Sequence, residues 1–281
     1  MKKHFAFILL LVLPVFTQEA TAQEDPYARM EFLLSTSRQS DAIDLLDSLE
    51  KTGSHAQKPV FQYYKADCML MQREYEETIR ICSAQISRLK GRDTLLPHLY
   101  FLKSLALDQL GKREQAIQEL NKAIKFKPEK VAYYLNASYY YGEAGDYRRC
   151  LENLHKAILL EPENVSVLNN LSYYSSMNKQ YQRGLEYANR ALEIVHDNNN
   201  ETAILLNNRG YAYLGMENYD AATRDINDAL RMYPENPYAY FNKALLYMQL
   251  DNNEEVCENL QMATLYGYIY SLKELTEQYC R

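Results

Sequence analysis

The chain has 281 residues, 47% hydrophobic and 24% charged, with 9 Gly and 8 Pro, a composition that supports a buried core and excludes a collagen-like or disordered polymer. Lys and Arg number 31 against 37 Asp and Glu, a net charge of −6, which argues against nucleic acid as a partner because neutralising phosphates takes a basic excess. Five Cys are too few for a disulfide-dense miniature scaffold and leave at least one thiol unpaired in a monomer.

Residues 1–22 read as a secretory signal peptide. Lys2 and Lys3 precede an apolar run from Phe5 to Phe16, and Ala20, Thr21 and Ala22 supply a small-residue cleavage site. The run is about 12 residues, short of the roughly 20 that span a bilayer. No comparable run follows, so a protein without a transmembrane segment, periplasmic or secreted, is expected.

From residue 23 to residue 268, apolar residues recur three and four apart in paired runs divided by short polar breaks, the pattern of helical hairpins. Phe32, Leu33, Ala42 and Leu46 mark a degenerate first unit, and Ala66, Met69, Tyr75 and Cys82 a weak second. The third carries Tyr100, Ser104, Leu107, Ala116, Leu120, Ala123 and Pro128. The fourth carries Tyr134, Ala137, Ser138, Tyr141, Gly145, Tyr147, Cys150, Leu154, Ala157 and Pro162, with its proline 34 residues after the last. Leu168, Leu171, Ser172, Gly184, Ala188 and Ala191 form the fifth; Leu206, Gly210, Tyr213, Ala222, Ile226, Ala229 and Pro234 the sixth; Tyr240, Ala244, Tyr247, Leu260 and Ala263 the seventh. Junctions are longer at Leu89 to His98 and at His196 to Thr202, and residues 269–281 leave room for a capping helix.

This order of large, small and aromatic residues, closed by Pro at a period of 34, resembles the tetratricopeptide repeat. The resemblance implies an all-α solenoid of about seven helical hairpins with a C-terminal capping helix. It also implies a non-enzymatic scaffold or assembly factor, without a cofactor, that holds a protein or peptide segment on a concave inner wall. In the family's registers Tyr139, Tyr173 and Tyr211 fall on that wall, where rigid amphipathic rings suit binding. Asn136, Asn170, Asn208 and Asn242 share a register in which some members hold a peptide backbone, a carboxamide offering donor and acceptor together. No Lys or Arg occupies the inner-wall registers of these repeats, which argues against a clamp for a terminal carboxylate. The rival reading is a glycan-binding accessory to an enzyme, with sugars stacked on the tyrosines. Asp67, Asp108 and Glu143 are then the only acids the inner registers offer.

The common catalytic signatures are missing from the sequence. The five His are scattered without helix-face spacing for a metal. Asp197, Asn199 and Glu201 alternate as in a calcium loop, yet Thr202 stands where the glycine of such a loop belongs, so no metal site is expected. Lys122, Lys125, Lys127 and Lys130 read as a solvated edge. The Asn-x-Ser/Thr triplets at Asn136, Asn164, Asn170 and Asn200 read as coincidental.

Arg209 and Lys103 stand where the family usually buries Leu. Each has an acid sixteen residues on, Asp225 and Glu119, and that spacing crosses a hairpin, so each cation is expected to meet its acid on the opposing helix. If the capping helix folds back after Gly267, Cys257 and Cys280 come together, and an oxidising compartment permits a disulfide. Cys68 and Cys82 form a second candidate pair, whereas Cys150 takes a small-residue packing position and is expected to stay a buried thiol.

Overall fold

A computed structural model describes residues 25–53, 55–89, 91, 93–195, 200–268 and 270–280. The signal-peptide reading, and His196, Asp197 and Asn199 of the long junction, lie outside these residues. Among the described residues the regular structure is fifteen α-helices: α1 (Pro26–Ser35), α2 (Gln39–Lys51), α3 (Pro59–Met71), α4 (Tyr75–Arg88), α5 (Leu96–Gln109), α6 (Arg113–Phe126), α7 (Val131–Glu143), α8 (Tyr147–Leu160), α9 (Val165–Met177), α10 (Tyr181–Ile194), α11 (Asn200–Gly215), α12 (Tyr219–Met232), α13 (Pro237–Gln249), α14 (Asn253–Leu265) and α15 (Lys273–Tyr279). They alternate as seven hairpins followed by one short helix. The described residues divide into two compact units, one ending at Tyr140 and one beginning at Tyr141.

One device makes all seven turns. Each turn has three residues, and its middle residue, Ser37, Arg73, Gly111, Gly145, Lys179, Glu217 or Asp251, has a positive φ. The next residue donates its N–H to a carbonyl five positions back, as Lys112 does to Leu107 and Asp146 to Tyr141, both at 2.9 Å. This is the Schellman closure, which satisfies helix-end carbonyls through one left-handed residue. Only Gly111 and Gly145 are the residue type that takes this conformation without steric cost. Between hairpins the repeat prolines act: Lys127, Glu161 and Tyr233 leave their helices with φ near −133° and ψ of 76–84°, outside the helical region that Pro128, Pro162 and Pro234 disfavour in the residue before them.

In the N-terminal unit the small positions Ala66, Ser104, Ala116 and Ala123 are fully buried, and Phe61, Leu99, Leu120 and Tyr133 fill the space around them. Lys103 reaches Glu119 at 3.3 Å, and Lys122 shares that carboxylate. Cys68 and Cys82 do not pair. Cys68 packs with Met30, Leu46 and Phe61, and Cys82 with Ile81, Leu99 and Leu102, so the two thiols face different cores although both elements belong to one hairpin.

In the C-terminal unit close helix approach is set by glycine. A Cβ on Gly210 would lie 2.8 Å from Ile226 Cγ1, and one on Gly184 would lie 2.9 Å from the Ser172 carbonyl oxygen. Arg209 meets Asp225 across the sixth hairpin. Cys150 is buried as a free thiol. The cap α15 is shorter than the tract available to it. Leu272 at its start packs with Val256 and Leu260, and a disulfide joins Cys257 to Cys280 with Cα atoms 5.0 Å apart.

Candidate functional site

A tyrosine-rich wall lies in the C-terminal unit. Glu143 closes α7, Tyr147 opens α8, Tyr173 and Tyr211 lie late in α9 and α11, and Tyr238 opens α13. The doublet Tyr173-Tyr174 splits its two rings between wall and core. Tyr174 is 7% exposed and fits beneath Gly142, where a Cβ would come within 2.5 Å of its ring. Tyr173 remains half-buried, with the two ring centroids 5.0 Å apart. Tyr139 and Tyr140 repeat the division in the N-terminal unit, Tyr140 being 1% exposed and Tyr139 half-buried.

The wall hydroxyls also influence one another electrostatically. Burial raises the Tyr173 hydroxyl pKa, and Tyr238, Tyr147, Tyr211 and Glu143 push it the same way. Burial likewise raises Tyr211, with Tyr181 and Tyr147 adding to it, and raises Tyr238, with Glu143 adding to it. At neutral pH these phenols are therefore uncharged, and they can donate hydrogen bonds and stack but do not serve as anions.

Two further rings come from the segment after the last hairpin. Tyr268 stacks on Phe241 at 4.5 Å and meets Tyr238 edge-on at 5.4 Å. Tyr270 lies 5.6 Å from Tyr268, and its hydroxyl donates to Glu143 Oε1 at 2.9 Å. Tyr147, Tyr238, Tyr268 and Tyr270 were not assigned to the wall from sequence. A signal for the last two existed in their spacing, two residues apart just after Gly267.

The asparagine register is used between repeats. Asn208 Nδ2 donates to Asn169 Oδ1 at 2.7 Å, and Asn242 Nδ2 to Asn207 Oδ1 at 2.9 Å. Asn208 and Asn242 are buried, at 7% and 8% exposure, so these two donors serve helix-to-helix spacing. Asn170 is half-buried on α9. In the N-terminal unit Asn136 donates to the Ala132 carbonyl of its own helix at 2.8 Å. Asn164 caps α9, accepting from the Val167 N–H at 3.0 Å, which gives that sequon residue a structural use.

The acids of the inner registers have separate environments. Burial raises Asp67 to about 6, and Asp108 accepts from Arg113 at 3.0 Å. Of the lysine edge, Lys122 pairs with Glu119 and Lys127 contacts His98 Nε2 at 3.1 Å. Among the described residues no three His, Cys, Asp or Glu gather as metal ligands, and no helix is long and apolar enough to cross a membrane.

Two tetratricopeptide-repeat profiles match the sequence, over residues 97–130 and 163–235, the tracts that form the third hairpin and the fifth and sixth. The sequence carries tetratricopeptide repeats in these tracts. Its hairpins superimpose on a tetratricopeptide-repeat protein from Parabacteroides merdae with a TM-score of 0.67 and 15% identity, covering 92% of this chain and 99% of that one. A chain of the APC/C hetero-tetramer Cut9-Hcn1 gives a TM-score of 0.70 at 17% identity over 91% of this chain, which spans 48% of that chain's length. PilW, a widely conserved type IV pilus biogenesis factor, gives 0.54 at 15% identity, with 64% of this chain and 81% of that one covered. No curated protein matches by sequence. At these identities the tetratricopeptide-repeat likeness is one of fold, and that fold is typically a non-catalytic scaffold for protein interactions.

Proposed function

We propose that the protein is a non-enzymatic scaffold or assembly factor of the cell envelope or extracellular space, binding a protein partner through the tyrosine wall of its C-terminal unit. The observation that carries this reading is a set of ring contacts joining separate elements, Tyr147 with Tyr174 at 6.3 Å, Tyr174 with Tyr173 at 5.0 Å and Tyr238 with Tyr268 at 5.4 Å, accompanied by the electrostatic influence of Tyr147, Tyr211 and Tyr238 on Tyr173. A single ring left over from core packing needs no such gathering. Rings with few rotatable bonds give a large contact area at small entropic cost, which is why Tyr is enriched where proteins bind one another. Export rests on the signal-like residues 1–22. The glycan reading has less support, because Glu143 is already engaged by Tyr270.

The test is co-purification from the native envelope with the intact protein and with a Tyr173→Ala, Tyr211→Ala variant of unchanged helicity. The reading expects a protein partner retained by the first and lost by the second. Equal recovery by both removes the wall as the binding surface.

A further inference from the structure

We infer that the wall accepts a segment carrying two aromatic residues two positions apart, and that the chain's own Tyr268 and Tyr270 hold this site until a partner displaces them. The inference rests on the scaffold reading and adds to it the chemistry of the partner. What the wall binds is read from what occupies it.

Tyr268 covers the wall from one side, stacked on Phe241 and edge-on to Tyr238. Its hydroxyl is raised by burial and then by Tyr173, Tyr238 and Tyr211, the same rings that define the wall. Tyr270 adds a directed bond: its hydroxyl donates to Glu143, 127 residues earlier in the chain. A segment with this spacing presents, as Tyr268 and Tyr270 do, one ring for stacking and one hydroxyl for the carboxylate.

The two rings are also held without being locked in. Upstream, Tyr268 closes α14 by donating its N–H to the Ala263 carbonyl at 2.8 Å. Downstream, Leu272 is buried in the last core and Cys280 is bonded to Cys257. Two anchors so close in sequence give the intervening rings a high effective concentration at the wall, in the millimolar range typical of short tethers. Yet Tyr270 is 44% exposed. Tyr270 can therefore be exchanged for an incoming ring first, and Tyr268, half-buried against the last core, follows.

The experiment uses the full chain with its disulfide intact, and as probe a fluorescently labelled synthetic peptide of residues 264–272. Native protein and a Tyr268→Ala, Tyr270→Ala variant are titrated by anisotropy. The variant is expected to bind about tenfold or more tightly than native protein, as removal of a tethered competitor requires, and further substitution of Tyr173→Ala and Tyr211→Ala abolishes the gain. Equal binding by native and variant protein, or a gain that survives loss of Tyr173 and Tyr211, overturns the proposal. Tyr270→Phe provides a second variant that removes only one hydroxyl, and with it an increase of about threefold is expected from a lost hydrogen bond; no increase counts against occupancy. A negative peptide result, with an envelope partner still dependent on Tyr173 and Tyr211, defeats the occupancy and leaves the scaffold standing. Loss of that dependence as well defeats both.

Discussion

Arg209 on α11 holds Asp225 on α12 by both carboxylate oxygens, Nε to Oδ2 at 2.6 Å and Nη2 to Oδ1 at 2.9 Å. A third bond, Nη1 to Asn189 Oδ1 at 3.1 Å, carries the same guanidinium to α10 of the preceding hairpin. Asp225 is 6% exposed, so removing its partner leaves a poorly solvated charge. Asp225→Ala and Arg209→Ala are each expected to cost about 3 kcal/mol in urea unfolding, as for other buried pairs broken singly. The Lys103–Glu119 contact is longer, at 3.3 Å, and Lys122 also pairs with that carboxylate, so Lys103→Ala leaves Glu119 a cation and is expected to cost about 1 kcal/mol or less.

The seven left-handed turn residues give a stabilising substitution. Glu217 is exposed with φ of 61°, a conformation that a side chain with Cβ takes at a cost of about 1 to 2 kcal/mol. Glu217→Gly removes that cost, offset in part by the added freedom of the unfolded chain, and a net gain of about 0.5 kcal/mol is expected. Gly145→Ala, at φ of 75°, is expected to lose about 1 kcal/mol. Chemical denaturation of both variants measures the difference.

His98 contributes acid sensitivity to the N-terminal unit. Burial, then Lys127 and Lys130, lower its pKa from 6.5 to about 4, and a neutral ring suits the contact of Nε2 with the Lys127 ammonium. Between pH 6.5 and about 4 the unfolded chain takes up at His98 a proton that the folded chain refuses, so the His98 contribution to stability falls as pH falls through this window, while Asp67, raised to about 6 by burial, contributes in the opposite sense. His98→Gln is expected to remove the His98 fall from the curve of Tm against pH while leaving the portion above pH 7 unchanged.

Reduction of Cys257–Cys280 releases a loop closed across a sequence separation of 23. On the chain-entropy relation this loses about 3 kcal/mol from the last hairpin and its cap. Hydrogen exchange should show α15 losing protection first in reducing buffer, with α3 and α4 unaffected. Burial raises Cys68 and Cys82 to about 12, so these thiols are expected to stay unmodified by alkylating reagents at pH 7 until the protein unfolds.

The hairpins were legible because close helix packing demands small residues at fixed places, and Ala116, Ala123, Ala157 and Ala222 recur there with prolines at the exits. The Arg209–Asp225 contact was legible for a related reason, since sixteen residues carry the chain up one helix and back down the next. Contacts between repeats were harder to read. The partner of Asn208 is Asn169, not the equivalent Asn170, and that of Asn242 is Asn207, so each donor meets the residue one position before the shared register. Cys68 and Cys82 misled in the same way, as each belongs to a core shared with a different neighbour. Tyr268 and Tyr270 lie outside any helix, where no periodicity marks which way a ring points.

In the C-terminal unit the substantial helix contacts join neighbours or next neighbours along the chain, such as α9 with α10 and α11, and α13 with α14. Contacts of that kind form quickly, because little loop entropy is lost before each is made. The Tyr270–Glu143 bond has the opposite character. It has no partner in place until the hairpins between its two ends have stacked, so it belongs to the last stage of assembly. Substitutions at Tyr270 or Glu143 should therefore leave the folding rate unchanged and act on the rate of unfolding.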